Sequence, residues 1–156
     1  MSSVKIKDFL RRKAIIEDLQ AVTKEAVLEE MAAALSDRAG KRAQMVSVLM
    51  AREELGSTGI GDGIAIPHGK IPELDELIVS CGRSKKGIDF NARDGKPVHF
   101  FFLLLAPENS AGQHLKVLAM ISRLSRNKVF RKKLMEAGST TELYELIVEK
   151  DDRDLT

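Results

Sequence analysis

Apolar and polar positions change their period several times along the chain, and these changes predict alternating helices and strands. In "TKEAVLEEMAAALSDRAG" the apolar residues recur at helical spacing, with Thr23 as the predicted N-cap and Gly40 as the predicted end. A second predicted helix runs from about Lys41 through "AQMVSVLMAREEL" and stops at Gly56. The N-terminal half of the chain is therefore expected to begin with a pair of helices.

Three shorter apolar runs predict strands. Residues 64–66 follow a glycine-rich loop, residues 77–81 form the second run, and "VHFFFLLLAP" is the third. The third run is apolar from Phe100 to Pro107, which is typical of a strand buried on both faces. We expect it at the centre of a sheet with helices on each side. "GRSKKG", after the second run, is predicted to be a solvated loop or the rim of the sheet.

The last part of the chain is predicted to be helical. "ENSAGQHLKVLAMISRLSRN" predicts a helix capped by Asn109 or Ser110, and "KVFRKKLMEAG" and "STTELYELIVEK" predict two more. Ser139 and Glu142 have the spacing of a capping box. From about residue 150 we expect a frayed polar tail. Strands mixed with helices throughout predict a single α/β domain over residues 1–156.

Composition narrows the class of protein. Hydrophobic residues make up 44% of the 156 residues and charged residues 31%, a profile typical of a soluble domain. The net charge of +2 gives no electrostatic reason to expect nucleic acid or a membrane surface as a partner. No run reaches the ~20 apolar residues of a membrane span. The single cysteine, Cys81, is predicted to be a core residue, which favours a reducing, cytoplasmic location.

The stretch "STGIGDGIAIPHGK" is the strongest candidate for chemistry. Its glycine-rich loop presents backbone N–H groups that suit an anionic oxygen, and the strand after it ends at His68. Pro67 restricts the backbone before the histidine and Gly69 allows a sharp turn after it, so the ring is expected at the mouth of the sheet. A neutral imidazole there predicts phosphate chemistry on the ring nitrogen. On position alone, a structural histidine stays the alternative.

Two other residues are candidate partners of this histidine. Arg52, four residues before Gly56, can pair with phosphate oxygens or simply stabilise the end of its helix. His114 falls within about the first turn of the helix after the central strand, near a positive helix end that favours an anion. His99 is predicted to be a packed or edge histidine with a hydrogen bond. The three histidines and the single cysteine lack the ligand spacing of a zinc site, and the glycine loop lacks the Gly-Lys-Ser/Thr ending of a P-loop.

Four stretches together resemble the enzyme IIA domains of the bacterial phosphoenolpyruvate-dependent phosphotransferase system, in the mannitol, fructose and nitrogen-regulatory branch. They are "REELGSTGIGDGIAIPHGK", "GIDFNARDGKPVHFFFLLLAP", "HLKVLAMISRLSRN" and "STTELYELI", in family order and covering nearly the whole chain. The resemblance implies an α/β fold whose mixed sheet has about five strands, with helices on both faces. It also implies that His68 is the phosphorylated residue and that Arg52 and His114 belong to the active site.

The implied reaction is transfer of a phosphoryl group between histidines of two proteins. An HPr-like phosphocarrier protein is the implied donor, and family precedent favours Nε2 of His68 as the acceptor. Arg52 would offset charge on the transferred group, and His114 would donate a hydrogen bond or orient the ring. The hydroxyl of Thr58 and the loop amides are weaker candidates for the same task. No nucleotide, metal or other cofactor is expected.

Three functions are compatible with the resemblance. "PHGK", and the expected lack of an attached transporter or enzyme IIB segment, favour a nitrogen-type regulator that binds different targets with and without phosphate. The alternative is a sugar-transport enzyme IIA that passes phosphate to a fructose- or mannitol-type enzyme IIB on another chain. A third function, opposed by the presence of His68, Arg52 and His114, is a binding module that lost phosphorylation. "SAGQ", "RSKK" and "RNKVFRKK" depart from the common form and bear on the choice of partner.

Overall fold

A five-stranded sheet separates two layers of helices in residues 4–155, the part of the chain that the computed structural model describes. Two short 3₁₀ helices, Ile6–Asp8 and Arg12–Ala14, precede the longer elements. The α-helices are α1 Lys24–Leu35, α2 Ala39–Glu54, α3 Ala111–Ser125, α4 Lys128–Glu136 and α5 Thr140–Leu155. The strands are β1 Gly59–Gly61, β2 Ile64–Ala65, β3 His68–Lys70, β4 Ile78–Ile88 and β5 Val98–Ala106.

Strand β5 is the centre of the sheet, as its continuous apolar sequence predicts. Along one edge β4 pairs with it in the antiparallel direction. Along the other edge β2 and then β3 pair with it in the parallel direction, β2 at Phe100 and Phe101 and β3 from Leu104 to Ala106. β1 pairs antiparallel with β2. The prediction of a mixed α/β sheet of five strands is therefore confirmed.

Alternate side chains of β5 enter two separate cores. Phe100, Phe102 and Leu104 pack in a cluster with buried residues of α3, α4 and α5. Phe101 and Leu103 pack on the opposite face with buried residues of α1 and α2. Because successive side chains of a strand point to opposite faces, a wholly apolar strand is stable only when both faces are covered. The expected helices on both faces are confirmed.

The predicted start of α1 is confirmed, but its predicted end is wrong. The Thr23 side chain accepts a hydrogen bond from the N–H of Ala26, as an N-cap should. The helix then ends at Leu35, because Ser36 is extended and its hydroxyl accepts the N–H of Arg38. Gly40 lies in the first turn of α2 instead of ending α1.

The segment "GRSKKG", predicted as a loop or sheet rim, is part of β4. It continues the pairing of β4 with β5 through Arg83, where the register then shifts. The guanidinium of Arg83 is buried and donates to the carbonyl oxygens of Glu17, Leu134 and Ala137. These contacts satisfy a charged group that sequence reasoning places in water, which explains the error.

The residues from 150, where we expected a frayed tail, continue α5 to Leu155. Asp151 is 1% exposed, and its carboxylate accepts a hydrogen bond of 2.8 Å from the backbone N–H of Ile6. Burial raises the pKa of the Asp151 carboxyl above its usual range. This contact ties the last helix to the first turn of the described chain, so the polar sequence is part of the folded structure.

Candidate functional site

The backbone around His68 is held by the central strand. β2 and β3 lie one after the other along the same edge of β5, and Pro67 stands between them. The carbonyl of Pro67 accepts the N–H of Leu104 at 2.9 Å, so the pairing continues across the proline. His68 itself lies opposite Leu104 in the ladder. The proline thus ends β2 without separating the histidine from the sheet.

Gly69 lets α2 approach the strand that carries His68. A Cβ atom at this position would lie 2.4 Å from Cγ1 of Val48, which is closer than real side chains come. The glycine after the histidine therefore permits close packing of helix and strand, whereas the sequence had suggested a sharp turn. This packing brings the C-terminal end of α2, with Arg52, towards the site.

The ring of His68 is fixed in one tautomer. Its Nδ1 lies 2.8 Å from the carbonyl oxygen of Ile66, and because a carbonyl only accepts, Nδ1 carries the proton. Nε2 therefore keeps its lone pair. Burial lowers the pKa of His68 below the ordinary histidine value of 6.5, the Ile66 hydrogen bond opposes this, and the charge of Arg52 lowers the pKa further. The ring is neutral at neutral pH, which is the nucleophilic form.

His114 lies beside His68. The two ring centroids are 5.5 Å apart and the rings are nearly perpendicular, at 89°. The side chain is in the first turn of α3 and only 7% exposed, and its Nδ1 is buried without a hydrogen-bond partner among the described residues. Burial lowers the pKa of His114, and positive charge on His68, when that ring is protonated, and on Lys70 lowers the pKa further. A buried imidazole without a partner can donate to an incoming ligand.

Arg52 lies in the last turn of α2 and lines the same cavity as His68. The cavity has a volume of about 180 Å³. Nη1 of Arg52 donates to the carbonyl oxygen of Gly56 at 2.8 Å, which holds the side chain against the start of the glycine loop. The structure thus brings together all three residues that the sequence predicted, with His114 against the His68 ring rather than on the cavity wall.

Thr58 also lines the cavity, but its hydroxyl is already bonded. It donates to the carboxylate of Glu53, and the same carboxylate accepts the Thr58 backbone N–H at 3.1 Å. Lys24 completes the group with an ion pair of 3.2 Å to Glu53. Sequence reasoning missed Glu53, because a glutamate beside an arginine near a helix end reads as an ordinary surface residue. It anchors the glycine loop to the end of α2.

Arg93 is a charged lining residue that sequence reasoning missed. It belongs to the connection between β4 and β5, and lines the cavity together with Arg52 and His68. No local pattern identifies it, since its position depends on how that connection packs against the glycine loop. A larger cavity of about 750 Å³ lies between α1 and α2 and is lined by none of these residues.

Other features predicted from the sequence lie away from the cavity. His99 is half-buried on β5, and its Nδ1 lies 2.9 Å from the carbonyl oxygen of Ser84, which confirms a packed histidine with a hydrogen bond. Cys81 is fully buried, as predicted, and burial raises the pKa of its thiol. Over residues 4–155 no three His, Cys, Asp or Glu side chains cluster as metal ligands do. Within the same range no helix combines the length and apolar character of a membrane span.

This arrangement of helices, sheet and paired histidines agrees with a known family. The family model of the phosphoenolpyruvate-dependent sugar phosphotransferase system, EIIA 2, matches residues 8–150. The chain belongs to this EIIA family, as its sequence motifs indicated.

Particular relatives narrow the comparison. The chain is 40% identical over 143 residues to a nitrogen regulatory protein of Bradyrhizobium diazoefficiens, covering 91% of this chain and 94% of the relative. The crystal structure of nitrogen regulatory protein IIA-Ntr from Neisseria meningitidis matches with a TM-score of 0.86 and 35% identity, over 91% of this chain and 98% of that one. A fructose-specific EIIABC component of Bacillus subtilis is 36% identical over 95% of this chain, which spans only 24% of that relative.

Proposed function

We propose that this chain is a phosphohistidine carrier that accepts a phosphoryl group on Nε2 of His68 from an HPr-like phosphocarrier protein. The observation that carries the proposal is the 2.8 Å contact of Nδ1 with the Ile66 carbonyl, which leaves the Nε2 lone pair free on a neutral ring. Arg52 lines the same cavity and its charge acts on the His68 ring, so a positive charge lies near the acceptor. Membership of the EIIA family supports the same reaction.

The transfer needs little covalent work from the protein. The Nε2 lone pair forms the new N–P bond while the N–P bond of the donor breaks, and its electron pair returns to the donor's imidazole. The Nδ1 proton stays on the ring and keeps its bond to Ile66. Arg52 offsets the charge of the phosphoryl oxygens, and His114 donates a hydrogen bond to one of them. Thr58 contributes to phosphate binding only if its hydroxyl leaves Glu53.

The donor would dock on exposed leucines that lie close in sequence to Arg52 and His114. Leu55, just after Arg52 on the chain, is 84% exposed, and Leu115, next to His114, is 67% exposed. Partly buried Leu118 lines the cavity itself. An apolar core with a polar rim is typical of a protein interface. A shallow site of this kind admits a histidine carried on another protein.

We infer a regulatory role of the nitrogen type as the first candidate. The relative from Bradyrhizobium diazoefficiens is a nitrogen regulatory protein of almost the same length, because the match covers 94% of it. A regulator of this kind would bind different targets with and without the phosphate, since the modification adds roughly −1.5 to −2 charge at the site.

The second candidate is sugar transport through an enzyme IIB. It is favoured by the likeness to the fructose-specific EIIABC component of Bacillus subtilis. Pull-down with the phosphorylated and unphosphorylated chain separates the two roles. Transfer of label to an enzyme IIB supports transport, whereas partners that differ between the two states and accept no phosphate support regulation. An unphosphorylated binding module is the least favoured function, because the cavity keeps a nucleophilic tautomer beside a cation.

The experiment that tests the proposal is a phosphoenolpyruvate-driven relay with enzyme I and an HPr-like carrier. We expect about one acid-labile, base-stable phosphate per chain, and none on His68→Ala, because a phosphorylated imidazole hydrolyses in acid. His99→Ala is the matched control and should label normally. His114→Ala should accept phosphate but transfer it poorly. Undiminished labelling of His68→Ala would contradict the proposal.

A further inference from the structure

The loop that carries Arg93 is fastened to the glycine-rich loop. The backbone N–H of Arg93 donates to the Gly59 carbonyl at 3.0 Å, and the carboxylate of Asp94 accepts the N–H of Asp62 at 3.0 Å. The two loops are so close that a Cβ on Gly59 would lie 2.9 Å from Cα of Ala92. The main chain at Arg93 is therefore positioned by the same loop that precedes His68.

The guanidinium of Arg93 makes no polar contact within residues 4–155. Over residues 4–155, its guanidinium has no carboxylate at ion-pair distance and no hydrogen-bond partner. It nevertheless lines the cavity of His68 and is one of the two arginines that do so. Arg52 differs, because its Nη1 already donates to the Gly56 carbonyl. A guanidinium with five free donors suits an anion with several oxygens.

The two arginines also differ in their effect on the unmodified ring. The charge of Arg52 contributes to the lowered pKa of His68, while Arg93 is absent from the causes of that shift. Because His68 and Arg93 line the same cavity, a phosphoryl group on the His68 ring brings anionic oxygens towards a flexible side chain.

We propose that Arg93 is a second phosphate-binding residue, which contacts the phosphoryl oxygens on His68 once the group has been transferred. This inference rests on the proposed function, because it needs a phosphate on His68. Arg52 and Arg93 then hold the group between two guanidinium ions. Since Arg93 gains an anionic partner only when the phosphate is present, it favours the phosphorylated state of the protein.

A partner-free reaction tests this directly. Potassium phosphoramidate phosphorylates histidine when the Nε2 lone pair attacks phosphorus and the P–N bond breaks, its electron pair leaving with ammonia. The phosphoryl group of the wild-type chain is then titrated by ³¹P NMR. A nearby cation stabilises the dianion, so Arg93→Gln should raise the phosphoryl titration midpoint by about 0.5 pH unit at low salt, and less at high salt.

Two further variants separate charge from structure. Arg93→Lys keeps the positive charge but loses the bidentate guanidinium. Its phosphoryl titration midpoint should therefore stay close to that of wild type, while its ³¹P chemical shift changes. Lys96→Gln removes one charge from the same loop without lining the cavity, and should leave both readouts unchanged. Thermal unfolding of all three should match wild type, because Arg93 is exposed and only its backbone is bonded.

The outcomes distinguish the two proposals. Equal midpoints and chemical shifts for wild type and Arg93→Gln would overturn the role of Arg93 while leaving the carrier function intact. A defect that occurs only with a protein donor would also overturn it, because Arg93 would then bind the partner. Failure of wild-type His68 to take phosphate, from phosphoramidate and from the relay, would instead refute the proposed function.

Discussion

His68 and His99 are held in nearly the same way on neighbouring strands, and they differ in what lies beyond the ring. Each is half-buried, and the Nδ1 of each contacts a backbone carbonyl, at 2.8 Å for His68 and 2.9 Å for His99. Nε2 of His99 packs against Gly87, where a Cβ would lie 3.0 Å away. Nε2 of His68 has no partner among the described residues, and its ring lines a cavity with Arg52.

The comparison teaches that fixing a tautomer is insufficient to make a site. Both histidines have an oriented ring, but only His68 combines a free nitrogen with a neighbouring cation and a second imidazole. A phosphoryl acceptor needs the free nitrogen and the cation, because the incoming group must reach the lone pair and its charge must be offset. His68 and His99 therefore serve as test residue and control residue in the same molecule.

Substitution of Arg52, the cation that lines a cavity with His68, is expected to have the largest effect on phosphate acceptance. Arg52→Lys should lower the initial rate of phosphate acceptance about ten-fold, and Arg52→Gln about a hundred-fold, because the bidentate fork and then the charge are lost. Rapid-quench measurement of labelled protein gives these rates. Lys86→Gln, an exposed cation on β4, is the control and should label at the wild-type rate. Arg52→Gln at the wild-type rate would remove its assigned role.

Two glycines next to the histidines give the second test. Gly69→Ala places a Cβ 2.4 Å from Val48, and Gly87→Ala places one 2.8 Å from the His99 ring at a residue with φ of +86°. Each change should cost about 1–3 kcal/mol of unfolding free energy in urea titrations. Only Gly69→Ala should also slow phosphate acceptance, since it displaces the strand that carries His68. Equal slowing by both would mean that acceptance follows global stability alone.

The smallest expected effect is the pH dependence of the free energy of unfolding. The pKa values of His68 and His114 are both lowered in the folded protein, so the unfolded chain binds more protons below the ordinary value of 6.5. The free energy of unfolding should therefore rise with pH up to about 6.5 through these groups and level off above it. NMR titration of the two ring Cε1 protons checks the shifts. Midpoints above 6.5 for either ring would contradict the assigned burial effect.

Most of the fold could be predicted from the sequence, because period and capping are local properties. The apolar run of β5 and the Thr23 cap are examples, and both are confirmed. Gly40 misled the prediction, since Ser36 ends the helix earlier. "GRSKKG" misled it because the burial of Arg83 depends on carbonyl groups that lie far away in sequence.

Candidate site residues whose role follows from a motif could be predicted from the sequence. Those whose role depends on packing could not. His68, Arg52 and His114 lie in family stretches, and the structure brings them together. Glu53 and Arg93 also lie in these stretches, but no motif assigns them a role. The burial of Glu53 depends on Thr58 and Lys24, and the position of Arg93 depends on contacts between two loops, neither of which a local pattern reveals.

The central claim is that His68 presents Nε2, and no other ring nitrogen, to the phosphoryl group. Long-range ¹⁵N–³¹P correlation NMR of the phosphorylated, ¹⁵N-histidine-labelled protein measures this directly. We predict coupling of phosphorus to Nε2 of His68, with a protonated Nδ1 still bonded to the Ile66 carbonyl. Coupling to Nδ1 of His68, or to either nitrogen of His114, would contradict the account.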